Sequence, residues 1–271
     1  MNSKQESKIS CIADAVGGIP YRMAFAGGWI DQPFVSGINP DPTGSMVVVN
    51  IHPDFRFMDR CGMATSSRKI ARKIWGDEIP EGNPETLVKE LYRAENQGLS
   101  EPSGSQDMVG LIYTGVSRID YSIQHEGGYF PVHVENNNDE RVARWLEQHV
   151  KMVPVCPRPA GYNPLETRNL DPELVRDLGQ TGRDCYDAIL EMDSAKLGES
   201  MNRCMDIWEN LMPGIVHHST LTVDLKEILK AYQAEFHGAM YSGCGGGYLY
   251  VVAEGEVPGG IAVRVRTSDN L

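Results

Sequence analysis

The 271-residue chain is long enough to bury a sizeable core, as one large domain or as two smaller ones that share a cleft. Its 41% apolar and 23% charged residues exclude disordered and collagen-like classes. A net charge of −12 disfavours nonspecific nucleic-acid binding, and no apolar run approaches the ~20 residues of a membrane span. We therefore expect neither a nucleic-acid partner nor a membrane partner.

Two further features concern location and metals. Residues 1–18 contain no continuous apolar segment, so we expect no secretory signal. Six cysteines without a Cys-x-x-Cys pair disfavour a structural zinc site and are typical of thiols in a reducing compartment, which predicts a cytoplasmic protein. The adjacent His217 and His218 are a weak metal candidate, because neighbouring side chains rarely point the same way.

The first half of the chain predicts strands and helices in mixed order. A strand over 21–26 ends at a Gly-Gly turn, and a buried strand follows over 46–51. A loop then enters a helix capped by Ser66 or Ser67 and ended by Gly76. A second helix begins at Asn83 and Pro84. Strands over 116–124 and 129–135 form a hairpin around the turn HEGG.

The first of these helices carries a basic face. Its cations are either simply solvated or a source of positive potential near a bound phosphate. They are Arg68, Lys69, Arg72 and Lys73.

The second half predicts a short helix over 139–150, a strand over 151–159 and a mostly helical segment from residue 168 to residue 212. A helix over 222–238 stops at Gly238, and strands over 248–254 and 260–267 close the chain. Strands and helices without regular βαβ alternation indicate an α+β fold. A seam near residue 150 predicts two lobes, 1–150 and 151–271.

The stretch SGCGGGYLYVVAE, residues 242–254, places four glycines in five positions before a strand. Glycine gives up more conformational entropy on folding than other residues, so the backbone must have a use for it. A tight turn and close helix packing are two explanations. The third is an anion held by backbone N–H groups, with Gly243, Gly245 and Gly246 at the site. In that case a side chain at Gly245 would press against a phosphate loop.

Four stretches in order resemble the motifs of the GHMP small-molecule kinases, particularly the heptose-phosphate kinase branch. They are PYRMAFAGGWIDQP, GMATSSRKIA, SGSQDMVGLIYTG and SGCGGGYLYVV, which together span most of the chain. The resemblance implies a two-lobed α+β fold, with mixed sheets, helices packed on them and a cleft between the lobes. It also implies ATP and Mg²⁺ as cofactors and a sugar, sugar phosphate or polyol as substrate.

The second stretch resembles the family's phosphate-binding motif. A loop that enters a helix N-terminus offers free N–H donors and a partial positive charge to ATP phosphates. Gly62, Thr65, Ser66 and Ser67 are the candidates here, and helix capping is the competing explanation for the hydroxyls. The resemblance assigns Ser67 and Glu95 to Mg²⁺; Glu90 and Glu101 are nearby alternatives to that glutamate.

The resemblance assigns catalysis to Asp107, as the base that takes the acceptor's proton. Its competing explanation is a charge favoured by the helix dipole. Arg22 could stabilise the transferring phosphoryl charge, although a strand arginine more often forms a local ion pair. Asp31 with Gly27 and Gly28 would bind substrate hydroxyls.

The sequence also departs from the family's pattern. Only about thirty residues separate the first two motifs, a region that in relatives holds much of the adenine pocket. Ala64 stands where glycine is common, Arg68 where a small residue is expected, and Met108 where glutamine is usual. Two alternatives to a kinase therefore stay open: a kinase-fold protein that binds a sugar-like or nucleotide ligand without transfer, and a different phosphate-handling enzyme. Oligomeric state cannot be inferred.

Overall fold

Two antiparallel sheets organise the chain, whose computed structural model describes residues 16–38 and 43–270. The first sheet has the order β1 (Tyr21–Ala24), β2 (Gly44–Ile51), β3 (Val116–Tyr121) and β4 (His133–Asn137). The second has the order β5 (Val150–Cys156), β7 (Gly247–Val252) and β6 (Gly238–Tyr241). The α+β class is confirmed, although both sheets are antiparallel throughout rather than mixed.

The helices of the described residues are α1 Pro33–Ser36, α2 Thr65–Trp75, α3 Pro84–Asn96, α4 Gln106–Ile112, α5 Glu140–His149, α6 Pro172–Glu191, α7 Ser194–Leu211 and α8 Leu225–Glu235. Short 3₁₀ helices lie at Glu126–Gly128 and Pro213–Ile215. Side-chain oxygens cap the N-termini of α3 and α5–α8, accepting from backbone N–H groups that the helix leaves unpaired. The capping residues are Asn83, Asp139, Asp171, Asp193 and Asp224.

Several predicted boundaries are wrong. Helix α2 begins at Thr65, with no side-chain cap, so neither Ser66 nor Ser67 is its N-cap. Gly238 does not end the chain's last helix but begins β6, because α8 already stops at Phe236. The predicted strand 260–267 is reduced to isolated bridges, and the predicted hairpin turn is widened to the whole of 122–132.

The two halves of the chain are packed together by close backbone contacts. Helix α6 lies on the first sheet: a Cβ added at Gly182 would come within 2.0 Å of the Ser45 carbonyl oxygen. The rings of Phe25 and Tyr250, from the two halves, lie 5.4 Å apart in one continuous core. Near the C-terminus, Val265 bridges to β2. The division into lobes at residue 150 therefore stays a prediction.

Among the described residues, no helix combines the length and the apolarity needed to cross a lipid bilayer.

Candidate functional site

The N-termini of α2 and α4 converge beside β1, and three predicted residues meet there. Arg22, on β1, forms an ion pair through Nη2 with Asp107 Oδ1 and donates from Nη1 to the Gly62 carbonyl oxygen at 3.0 Å. Ser67 Oγ donates to Asp107 Oδ2 at 3.3 Å. Gly110 leaves room for Arg22, since a Cβ there would lie 2.0 Å from Arg22 Cγ. The Asp107 carboxylate thus joins the first, second and third of the four stretches.

The cation and the carboxylate of this pair differ in exposure. The Arg22 side chain is 4% exposed, whereas that of Asp107 is 27% exposed. Burial lowers the pKa of Arg22, yet an arginine remains charged at neutral pH. A fixed cation behind a reachable carboxylate leaves Asp107 able to accept a proton from a hydroxyl group.

Glu95, on α3, completes the cluster. Burial raises the pKa of Glu95, and the nearby Ser67 hydroxyl group and the charge of Arg22 partly offset this rise. Glu95 Oε2 is buried without a hydrogen-bond partner among the described residues. A buried carboxylate oxygen without a partner is costly unless a ligand satisfies it.

The donor set fits a hard divalent cation. Ser67, Glu95 and Asp107 offer hydroxyl and carboxylate oxygens, and Mg²⁺ needs few protein ligands when it shares a substrate's phosphates. The competing glutamates lie elsewhere: Glu90 accepts from the Trp75 indole at 3.2 Å, and Glu101 is exposed. No group of three His, Cys, Asp or Glu residues within 16–38 and 43–270 forms a metal site by itself.

Asp31 lies under the start of α4 and is fully buried. Its Oδ2 accepts from the Gln106 backbone N–H and its Oδ1 from Gln106 Nε2, both at 3.3 Å. A Cβ at Gly104 would sit 1.8 Å from Asp31 Oδ2, so this segment covers the carboxylate. In this conformation Asp31 contacts Gln106 and positions the helix that carries Asp107, rather than facing a ligand.

Burial also raises the pKa of Asp31 to about 6, although the Gln106 N–H and the charge of Arg22 lower it. The charged form is therefore disfavoured by folding, and the stability that the protonated carboxyl provides is lost as pH rises from about 4 to 6, with no further loss above that range. We expect Asp31→Asn to gain stability relative to the wild type between pH 4 and pH 8, by on the order of 3 kcal/mol. Urea unfolding at pH 4, 6 and 8 measures this difference.

A matched control is Asp77→Asn, because Asp77 is exposed and paired with Arg72. The amide at position 31 can still accept from the Gln106 N–H and donate to Gln106 Oε1, which has no partner among the described residues. A stability difference between the Asp31→Asn protein and the wild type that stays constant with pH would contradict the raised pKa.

The loop before α2 is strained. Ala64 takes a left-handed conformation, with φ at 56°, which explains why glycine is common at this position. The Thr65 hydroxyl accepts from the Arg60 N–H at 3.2 Å, so it is used locally. Ser66 is exposed at the helix N-terminus. Of the three hydroxyl groups, Ser67 is the one that faces Asp107.

The glycine loop, residues 242–247, packs directly on the loop before α2. A Cβ at Gly62 would lie 1.8 Å from the Ser242 carbonyl oxygen, and one at Gly247 would lie 2.4 Å from the Cys61 carbonyl oxygen. Gly243 and Gly246 take positive φ values of 73° and 76°. Close backbone approach and left-handed turns therefore both require glycine here.

Gly245 differs from the expectation. An added Cβ would meet the Ile215 carbonyl oxygen at 1.6 Å, not the phosphate loop. Gly27 and Gly28 likewise face protein: their added Cβ atoms would meet Ser45 and Trp208 at 2.1 and 2.8 Å. The chain needs these three glycines for packing, whatever ligand lies nearby.

Two residues that sequence reasoning missed hold the glycine loop. Arg158 donates from Nε to the Gly245 carbonyl at 2.9 Å, and from Nη2 to the carbonyls of Ser242 at 2.6 Å and Cys244 at 2.8 Å. Trp29 Nε1 donates to the Gly243 carbonyl at 3.1 Å. All four carbonyls from 242 to 245 are thus bonded to side chains.

The sequence did contain a signal for Arg158. It stands between Pro157 and Pro159, directly after β5, and prolines on both sides restrict its backbone. Trp29 takes a φ of 79°, an unfavourable value for a non-glycine residue. Strain of this kind is frequent at functional sites.

Of the predicted basic face of α2, Arg68 is buried, whereas Lys69 and Lys73 are exposed and Arg72 is half-buried. Arg68 is buried, donates to the Ile19 carbonyl at 2.7 Å and stacks on the Tyr21 ring at 4.2 Å. Lys69 and Arg72 pair with nearby aspartates at 3.0 and 2.7 Å. Arg68 therefore anchors the start of the described chain instead of lying on a solvated face.

The two adjacent histidines do not share a ligand position. His217 lies 3.1 Å from Glu209, and His218 bonds Thr220 at 2.8 Å. The weak metal candidate gains no support.

No protein-family profile and no curated protein matches the sequence. Solved structures, in contrast, match the fold over most of the chain. Galactokinase from Lactococcus lactis, complexed with galactose, aligns over 98% of this chain and 99% of its own, at 12% identity and a TM-score of 0.61. A D-glycero-D-manno-heptose 1-phosphate kinase from Bacteroides thetaiotaomicron aligns over 92% and 95%, at 13% identity and a TM-score of 0.52. Mevalonate kinase from L. major, complexed with R-mevalonate, aligns over 93% and 96%, at 13% identity and a TM-score of 0.52.

The chain therefore has the fold of the GHMP kinases, as the ordered motifs predict. At these identities the likeness shows the fold. The function of this chain depends on the residues of its own site.

Proposed function

We propose that the protein is a small-molecule kinase that transfers the γ-phosphoryl group of ATP to a hydroxyl group of a sugar, sugar phosphate or polyol. The observation that carries the proposal is the convergence of Asp107, Arg22, Ser67 and Glu95 at the N-termini of α2 and α4. A proton acceptor, a buried cation and oxygen ligands for a divalent ion are the groups that phosphoryl transfer requires.

Each residue then has a role. Asp107 accepts the proton of the acceptor hydroxyl as its oxygen bonds to the γ-phosphorus and the bond to the ADP oxygen breaks. Arg22 holds Asp107 in place and adds positive charge behind the transferring group. Ser67 and Glu95 would hold Mg²⁺, which neutralises phosphate charge when bound. The backbone N–H groups at the start of α2, from Thr65 onward, point to the phosphates.

A cavity beside the N-terminus of α2 supports a nucleotide site. It has a volume of about 150 Å³ and combines aromatic with cationic walls, as a base and its phosphates require. Its lining includes Tyr21, Phe57, Thr65, Arg56 and Lys69.

The direct test is thermal unfolding with ATP and ADP, each with and without Mg²⁺, followed by turnover with a panel of sugars and polyols. A nucleotide at 100 times its dissociation constant should add about 2.7 kcal/mol to the free energy of unfolding. Nucleotide binding without transfer to any acceptor would favour a binding protein with this fold. Absence of both would contradict the proposal.

The metal assignment predicts a selective effect. We expect Ser67→Ala and Glu95→Gln to reduce Mg²⁺-dependent turnover at least tenfold, while nucleotide binding without metal changes little, because their oxygens act through the cation. Turnover is measured against Mg²⁺ concentration, so that a weakened site appears as a higher requirement.

Matched controls lie next to both residues. Ser66→Ala removes an exposed hydroxyl from the same turn, and Glu90→Gln removes an exposed carboxylate from the same helix. If the controls and the two test variants lost activity equally, the metal would have to lie elsewhere.

A further inference from the structure

A second cavity has a volume of about 450 Å³. One wall is the segment 99–103, which leads into α4, where Asp107 lies. Another is Trp29, whose indole bonds the glycine loop. The remaining lining includes Gln32, Phe34, Tyr129, Leu165 and Arg168. Through Trp29 and the segment 99–103 the cavity is linked to the glycine loop and to the helix that carries the proposed base.

Arg168 is an exposed side chain at this wall, with most of its donors available. Its guanidinium stacks on the Phe34 ring at 4.3 Å, and its Nε donates to the Leu165 carbonyl at 3.0 Å. Its two Nη groups have no hydrogen-bond or ion-pair partner among residues 16–38 and 43–270. Stacking and one backbone bond fix the plane of the guanidinium, so less entropy is lost when it binds.

The surrounding charges make this arginine distinctive. Glu101 is exposed on the same cavity and Glu166, two residues before Arg168, lies 3.6 Å from His218; neither pairs with Arg168. The fork of a guanidinium matches the oxygens of a phosphate or carboxylate.

We propose that this cavity binds the acceptor and that Arg168 binds an anionic group on it, a phosphate or a carboxylate. The aromatic walls, Trp29 and Tyr129, pack against the apolar face of a polyhydroxylated acceptor, and Glu101 accepts hydrogen bonds from its hydroxyl groups. The acceptor is then an anionic sugar or polyol, with the reacting hydroxyl toward Asp107. This inference rests on the proposed kinase function.

The experiment compares neutral and anionic acceptors in pairs. Galactose, glucose and mannose are assayed with ATP and Mg²⁺ beside their 6-phosphates, and beside galacturonate and glucuronate, which separate the two anionic groups. We expect one anionic series to exceed its neutral parents at least tenfold in kcat/KM. Arg168→Gln should raise KM for that series about 10- to 100-fold, with a much smaller change for the neutral parents.

Two further variants sharpen the comparison. Arg168→Lys keeps the charge without the fork and should recover part of the loss. Arg176→Gln changes an exposed arginine outside this cavity and should leave KM unchanged. Equal turnover of neutral and anionic acceptors, or an equal effect of Arg168→Gln on both, would overturn the inference.

The inference and the proposed function can fail separately. If the wild type transfers phosphate to no acceptor in the panel, the kinase proposal is contradicted, and calorimetric binding of the same acceptors then decides the role of Arg168. Binding of a 6-phosphate or uronate that Arg168→Gln weakens supports the anion site. Absence of any such binding overturns it.

Discussion

Replacement of Asp107 by asparagine should lower turnover by about 10²- to 10⁴-fold, the usual contribution of a general base. Asparagine keeps the size of the side chain and can still accept from Ser67, but it cannot take a proton from the acceptor hydroxyl. Nucleotide affinity should change little, because the lost step is proton transfer and not binding. Steady-state kinetics and nucleotide titration on the same preparation measure both quantities.

The control for this variant has to account for Arg22. Removing the charge of Asp107 leaves the buried guanidinium without its ion pair, so some stability is lost as well. Asp54→Asn breaks an exposed ion pair with Arg264 and shows the effect of a lost carboxylate outside the cluster and outside the α2 cavity. An Asp107→Asn protein that turns over like the wild type would exclude Asp107 as the base.

Replacement of Gly62 by alanine should destabilise the protein by several kcal/mol and abolish nucleotide binding. The new Cβ would sit 1.8 Å from the Ser242 carbonyl oxygen and 2.8 Å from Arg158 Nη2, so both loops must separate. The positive φ of 78° adds strain of about 1–2 kcal/mol. Urea unfolding and nucleotide titration report the two effects.

A comparison with Gly76→Ala separates the steric part of this cost from the backbone strain. Gly76 has a φ of 82°, yet its added Cβ would find nothing within 4 Å, so only backbone strain remains. The difference in stability between the two variants therefore measures the cost of forcing the two loops apart. Overpacking typically costs about 1–3 kcal/mol, so Gly62→Ala should be less stable than Gly76→Ala by about this amount. Equal destabilisation by both substitutions would show that the contact is unimportant.

The sequence predicts which residues form the site better than it predicts how they are arranged. Asp107, Ser67 and Arg22 could be found because each stands in a short motif whose local pattern is readable. Their mutual contacts depend on three elements that are distant along the chain, and no local pattern encodes those contacts. Asp31 shows the limit: its motif indicates a polar ligand, while tertiary packing places Gly104 over it and raises its pKa instead.

Helix α2 shows a second kind of limit. Serines before an apolar stripe favour an N-cap, but Ala64 is the N-cap, in a left-handed conformation, so the helix begins two or three residues earlier than expected. Arg68 looked like part of a solvated face because its hydrogen-bond acceptors, including Ile19, lie about fifty positions earlier in the chain. Side-chain burial of this kind is decided by the fold and not by helical periodicity.

The carbonyl bonds of the glycine loop have a consequence for the order of folding. The bond from Ser242 to Cys61 spans 181 positions, and the bond from Trp29 to Gly243 spans 214. Contacts this distant carry a loop-closure cost that nearby contacts avoid, so they form late. The helices and hairpins can be complete while the loop before α2 and the glycine loop are still apart. The contact between these loops needs residues from both ends of the described chain, so the proposed ligand site is completed at the last stage of folding.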